Sequence, residues 1–293
     1  MRRVAFLLPH ETLNSVVPVG DEQSWAALDC GDRQGFREEL AAWAGRTNLD
    51  LASGAPVLSI GLWGDSAPLS KRISLLLLTI KAISGPSLKR FWVFACTKKD
   101  MCDCGCSGRC TLDACWRIIA WSFQILLSGI WPSADHLGRA WPVGSWRREL
   151  GAAKIPMRFR GALLRKSGDW AWFKCSLGLR GWRGTKKGKH MCWICNASFN
   201  CTHNCYDFRK EATWRQQLVT MEEIRHELTT ARYPSQIWSI PGLTIGSFRP
   251  DWMHCADLGI TQYCTANIVW ELFVEMKGTF TTWKPACAKL VKK

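Results

Sequence analysis

The chain has 293 residues, 47% hydrophobic and 22% charged. That is a globular composition, long enough for one large domain or two ordinary ones, and it excludes a mostly disordered chain. Its 39 Lys and Arg outnumber 24 Asp and Glu for a net charge of +15, so a polyanion, either nucleic acid or an anionic membrane, is the expected partner.

Met1-Arg2-Arg3 followed by Val4–Leu8 imitates a signal peptide, but the apolar stretch stops at Pro9-His10 and no small-residue cleavage site follows. No export is expected, and the chain is read as nuclear, or cytoplasmic if not imported. The longest apolar run, near Ile118–Trp131, is interrupted by Gln124 and is shorter than the roughly 18–20 residues of a spanning helix, so no membrane is expected. Fifteen cysteines in an unexported chain point to metal-bound or reduced thiols rather than disulfides. The 18 tryptophans are read mainly as core, with stacking on bases as the alternative.

Taken in order, Asp32–Ala44 places Phe36, Leu40 and Trp43 at helical spacing. Pro56 opens a short apolar strand expected to end at Gly64-Asp65. Ser74–Ser84 reads as a buried strand before Gly85-Pro86, and Arg90–Thr97 as a third strand rich in aromatic and β-branched residues. After a cysteine cluster, Thr111 is the expected cap of a helix over Leu112–Ile130. Trp131–Trp146, with two prolines and two glycines, reads as a loop. Ile155–Lys166 alternates apolar and basic residues as a half-buried strand would, and stops at Ser167-Gly168-Asp169. A short helix over Trp170–Leu177 and a basic loop at Gly178–Gly188 follow. Glu211–Ala231 looks helical, Pro234–Pro250 irregular, and Asp251–Met276 should hold one or two helices. Three strands, a helix, a fourth strand and further helices are the element order of a ribonuclease-H-like α/β fold, a mixed sheet flanked by helices. The expected divisions are an N-terminal helical segment at 1–54, the core at 55–185, a zinc-binding insertion at 186–260 and an incomplete C-terminal helical part at 261–293.

Three constellations carry chemistry. Asp65 and Asp169 each follow a glycine at the end of an apolar strand. Two such carboxylates, with a third, could hold Mg²⁺ or Mn²⁺ for phosphodiester displacement, although Gly-Asp is also a common turn. Cys192-x-x-Cys195 is a Zn²⁺ half-site. His190, Cys201, His203 and Cys205 nearby, or the distant Asp251-x-x-His254, could complete it. Cys102, Cys104, Cys106, Cys110 and Cys115 could form a second zinc knuckle, but Cys-x-Cys-x-Cys is tight for all three to bind one ion, so a turn of free thiols carries equal weight. The charge is concentrated as well. Between Arg147 and His190 lie 13 Lys and Arg, opposed only by Glu149 and Asp169. Within this stretch Arg165, Lys166, Arg180, Arg183, Lys186, Lys187 and Lys189 are the expected phosphate contacts of a DNA-binding surface. A solvated basic face is the alternative.

Gly64-Asp65, Gly168-Asp169-Trp170, Cys192-x-x-Cys195 and Asp251-x-x-His254, in that order, resemble the signature of CACTA-type cut-and-paste DNA transposases. The two aspartates and the cysteine pair also match the layout of the V(D)J recombinase core. The segment Cys102–Phe123 resembles cysteine-rich stretches of transposase-like proteins from protist genomes. The resemblance implies a ribonuclease-H-like catalytic core that cleaves and joins DNA with divalent metal. Asp65 and Asp169 would be its first two acids, and Cys192, Cys195, His254 and Asp251 its zinc ligands. The family's final Glu has only Glu271 and Glu275 as counterparts, both close behind His254. Glu275 is the expected third acid, in a copy expected to be truncated and catalytically defective. A zinc module that binds nucleic acid or a partner without catalysis is the competing expectation, and self-association of the chain is left open.

Overall fold

The structure, a computed structural model, describes residues 4–16, 34–70, 73–85, 89–106, 108–179, 192–198, 207, 209–230, 235–251 and 261–275. The chain divides into two units, Met1–Arg249 and Pro250–Lys293. The strands β1 (Val57–Ser70), β2 (Ile73–Ala82), β3 (Phe91–Thr97), β4 (Arg160–Gly168) and β5 (Phe248–Pro250), which ends at the division between the units, form one mixed sheet in the order β3-β2-β1-β4-β5. The pairs β1–β2 and β2–β3 are antiparallel, and β4 returns parallel to β1. The helices are α1 (Pro9–Val16), α2 (Gln34–Thr47), α3 (Arg109–Ser128), α4 (Trp146–Ala152), α5 (Trp170–Leu177), α6 (Thr213–Gln216) and α7 (Met221–Thr230). In the second unit α8 spans Gln262–Glu275. No helix of the described residues is long and apolar enough to cross a membrane.

Both faces of the sheet are covered, which is why the strands read as nearly continuous apolar runs. On one face Leu58, Ile60, Leu62 and Leu163 pack with Trp116, Ile119 and Phe123 of α3 and with Trp172 and Phe173 of α5. That core also takes in Leu13 of α1, together with Trp193 and Val219. On the other face Val57, Ala162 and Leu164 pack against Trp43 and Ala44 of α2.

Several boundaries differ from the sequence reading. The first strand does not end at Asp65. It pairs with β4 only as far as Gly64 but continues along β2 to Ser70, because the β1–β2 hairpin keeps its ladder going. Thr111 is not the cap of α3. Gly108, at φ +84°, takes that place, and the Thr111 hydroxyl instead accepts from the Cys102 N–H at 2.9 Å. Within the expected 131–146 loop, Ser145 caps the short α4 by accepting from the Arg148 N–H. The 211–231 segment holds two helices rather than one.

One irregularity sets which side chains of β4 face which way. Ile60 pairs with Leu163 but Gly61 pairs with Arg165, so Leu164 is an extra residue in β4. A strand's side chains alternate, and such a bulge resets the alternation. Beyond it, Lys166 and Gly168 face α5, while Arg165 turns toward Phe36 and Glu39 of α2. Trp172 of α5 then lies flat against two backbones. A Cβ on Gly64 would sit 2.3 Å from its ring, and one on Gly168 2.4 Å. Only glycine permits that approach. Gly168→Ala should therefore cost roughly 1–3 kcal/mol, the penalty of overpacking a filled core, by urea or thermal unfolding. Gly45→Ala, on α2 with nothing within 4 Å of the added Cβ, should be neutral or stabilising by up to about 1 kcal/mol.

α1 is pinned to α3 through His10. The ring is fully buried, with Nδ1 2.8 Å from the Ser122 hydroxyl, which also accepts from the His10 N–H. Burial, and secondarily the charge of Arg147, pushes His10 down to about 3. The unfolded chain takes up a proton near pH 6.5 that the folded chain refuses, so acid favours unfolding. Stability should fall by about 1.4 kcal/mol per pH unit as pH drops from 6.5 toward 3. His10→Asn should flatten that part of a pH series of urea midpoints.

Candidate metal centres

The parallel register brings the two Gly-Asp sequences side by side. Gly64 and Gly168 are direct partners across β1 and β4, strands that lie about 4.8 Å apart; Asp65 is the next residue of β1 and Asp169 the first residue beyond β4. Both are half-buried. The Asp65 Oδ1 accepts from the Ser66 N–H at 2.6 Å. Asp169 stands at the N-cap of α5, where its Oδ1 accepts from the Trp172 N–H. That bond satisfies one of the orphan donors of the helix's first turn. It also fixes the start of the helix that carries Trp172. Two carboxylates so placed offer hard oxygen ligands to a divalent cation.

Lys166 is the functional neighbour that sequence alternation misplaced. The side chain is fully buried, so its ammonium presents nothing to a DNA backbone in this conformation. Its Nζ donates to the Ser167 carbonyl at 2.7 Å and lies over the rings of Trp172 (5.2 Å) and Phe173 (5.6 Å). Burial pushes its pKa well below the usual ammonium range, against the opposing pull of the Asp169 and Asp65 charges. The bulge at Leu164 is the physical reason it points inward. No signal in the alternating pattern announces that bulge.

Other cations of the basic stretch are also committed to the fold. Arg165 makes a two-point pair with Glu39, at 3.0 and 2.8 Å. Arg147 pairs with Glu11 in the same way, at 2.5 and 2.7 Å. Arg160 is buried and donates to the carbonyls of Asp50, Ser53 and Ala55, closing the 50–55 segment over β4. Arg180, Arg183, Lys186, Lys187 and Lys189 lie outside the described residues.

The four sulfurs of Cys102, Cys104, Cys106 and Cys110 lie within 4.8 Å of one another. The group could hold a metal ion. The expectation that this spacing is too tight for one ion is corrected by the backbone. Gly105 and Gly108 both take φ +84°, which doubles the loop back until the first turn of α3 contributes Cys110. No disulfide joins these cysteines or the described Cys96 and Cys115.

Cys192 and Cys195 form a turn in which the Cys192 sulfur accepts from the Ile194 N–H at 3.3 Å. The turn is anchored by an antiparallel bridge from Cys195 to Leu218 and by buried Trp193, whose ring meets Phe173 at 5.0 Å. His254, along with His190, Cys201, His203 and Cys205, lies outside the described residues. Asp251 belongs to the second unit, and Glu275 is the last residue of its helix α8.

Comparison with protein-family models, with curated proteins and with solved structures returns no match. The chain's own residues therefore carry the functional assignment.

The capping role of Asp169 can be tested by itself. Asp169→Ala should cost about 1 kcal/mol through loss of the cap, whereas Asp169→Ser keeps a capping oxygen and should hold stability within a few tenths of that of the parent. Equilibrium urea unfolding of the two variants checks this.

Proposed function

We propose that this chain is a DNA-binding protein built on a ribonuclease-H-like core of the DDE-transposase kind, with Asp65 and Asp169 as its cation-holding carboxylates. The single observation that carries the reading is the β1–β4 register, which pairs Gly64 with Gly168, the residues that immediately precede Asp65 and Asp169. The strand order β3-β2-β1-β4-β5, with α3 as the crossover before β4, supports it.

The donor set fits Mg²⁺ or Mn²⁺, which is commonly held by one or two carboxylates together with waters and substrate phosphates. A bound cation there would activate a water or hydroxyl and stabilise the leaving oxygen of a phosphodiester. The protein's part is positioning. The Asp169 cap and the Trp172 contact hold the two carboxylates on fixed backbone. Lys166, buried nearby, feels both carboxylate charges, while its burial disfavours the ammonium form. Two carboxylates are few for a pair of metals held in line with attacking and leaving oxygens, so strand transfer by this chain is not expected. DNA attraction comes from the basic 180–189 segment with Lys154 and Lys174, rather than from Arg147, Arg160, Arg165 and Lys166, whose charges are spent inside the fold.

One observation favours a second reading, a zinc-stabilised module that binds nucleic acid without chemistry. Asp169 already serves as a helix cap, and a buried lysine already faces the acid pair.

Salt-titrated DNA binding and a nicking and joining assay in Mg²⁺ and Mn²⁺ separate these readings. Neutralising Lys186, Lys187 and Lys189 together should lower affinity alike on all sequences. It should also flatten the log–log salt slope by about one unit for each phosphate no longer neutralised. Arg165→Gln should leave the slope unchanged. Mn²⁺ binding by calorimetry should disappear in Asp65→Asn while DNA binding persists. Retention of Mn²⁺ binding in Asp65→Asn would refute the carboxylate site. Robust strand joining that depends on Asp65 would show that a third ligand is in place.

A further inference from the structure

We propose that Cys102, Cys104, Cys106 and Cys110 bind one Zn²⁺ as a closed tetrathiolate site that fastens the β3–α3 connection to the first turn of α3. This goes beyond the acidic site and does not depend on it.

The sulfur geometry is the first argument. Four thiolates at 2.3 Å from a tetrahedral zinc stand about 3.8 Å from one another. In the structure Cys102 and Cys104 are 3.8 Å apart, Cys104 and Cys110 3.6 Å, and Cys102 and Cys106 3.0 Å, with every pair inside 4.8 Å. Of these three the Cys102–Cys106 pair departs most, and would have to open by less than 1 Å. A disulfide would need about 2.05 Å. An iron–sulfur cluster distributes its cysteines over several irons, which asks for a wider cradle than this one.

The second argument is what holds the loop. Of 101–108, Cys106 and Gly108 are buried, while Asp103, Cys104 and Gly105 are exposed. The loop also borders a cavity of about 700 Å³ lined by Val4, Phe6, Met101, Cys115 and Ile118. Met101 packs the start of the loop against the core, yet the remainder converges four sulfurs on one point. One divalent ion would take all four as ligands and hold that part of the loop in place.

The surroundings fit a thiolate cage. The Cys106 sulfur accepts from the Cys110 N–H at 3.4 Å, and the Thr111 hydroxyl orients the backbone of Cys102. Both lie at the N-terminal end of the 20-residue α3, where the helix dipole favours negative charge. Four protein ligands leave no open position, so the site is structural rather than catalytic. Soft sulfur also keeps Mg²⁺, the cation of the acidic site, from competing for it.

The test uses the full-length chain, purified under reducing conditions with zinc. Elemental analysis should show that Cys104→Ser and Cys110→Ser each lose one zinc equivalent. Cys192→Ser should leave that equivalent in place. X-ray absorption on the zinc bound by Cys192→Ser should give four sulfurs near 2.3 Å, and cobalt substitution should give the intense thiolate charge-transfer bands of a tetrathiolate centre. In wild-type protein, which avoids any folding defect of the variants, zinc should slow alkylation of Cys102, Cys104, Cys106 and Cys110 at least tenfold by peptide mapping. Unchanged zinc content in both Cys104→Ser and Cys110→Ser would overturn the proposal. So would alkylation indifferent to zinc, or a Cys102–Cys106 disulfide in the metal-loaded protein.

Discussion

The indole of Trp172 rests on the backbones of Gly64 and Gly168 at once, and the arrangement of the sheet centre depends on that contact. A buried Trp removes roughly 150–250 Å² from water, worth about 4–6 kcal/mol at 25 cal/mol/Å². Here that energy is available only if both strands present bare backbone at the same height. The requirement fixes the β1–β4 register, docks α5 against the sheet and leaves the residue after each glycine in a defined place. Those residues are Asp65 and Asp169. The Asp169 cap closes the circle, because the carboxylate that starts α5 holds the helix that supplies the indole.

Much of this was legible in the chain, and the reasons differ by element. β2, β3 and α5 were readable because length, aromatic content and flanking Gly-Pro or Ser-Gly-Asp punctuate them. The two Gly-Asp pairs were recognisable as candidates, but the cause of their glycines was not, since Trp172 is distant from Gly64 in sequence. α1 and α4 escaped notice because short helices lack enough turns to display a period. Thr111 was a reasonable cap on composition alone. The cysteine loop overrode it by turning three residues earlier, with a left-handed glycine and a hydroxyl diverted to Cys102.

Charge was the least transparent property. A sequence count treats every Lys and Arg in the 147–190 stretch as equal. The fold divides them into cations paired at two points with carboxylates, such as Arg147 and Arg165, a buried one that ties backbone carbonyls together, Arg160, and one sealed under aromatic rings, Lys166. Net charge predicts an attraction to polyanions at long range, but only the cations left over from such internal work can touch a phosphate. The same sorting applies to cysteine. The total of fifteen says little, whereas the meeting of four sulfurs at the head of one helix makes a group that could hold a metal ion.

The extra residue at Leu164 has a consequence for how this chain can change over time. Up to that point β4 keeps step with β1, and after it every side chain has traded faces. A strand of the same length without the bulge would turn Lys166 to the opposite surface and bring Arg165 under the indole. It would do so without altering any residue of the Gly-Asp pairs themselves. Deleting Leu164 would instead smooth the ladder and leave Arg165 opposite Gly61 and Lys166 opposite Leu62. The reading frame of inside and outside beyond this point is therefore held by where the extra residue is absorbed, which composition does not record.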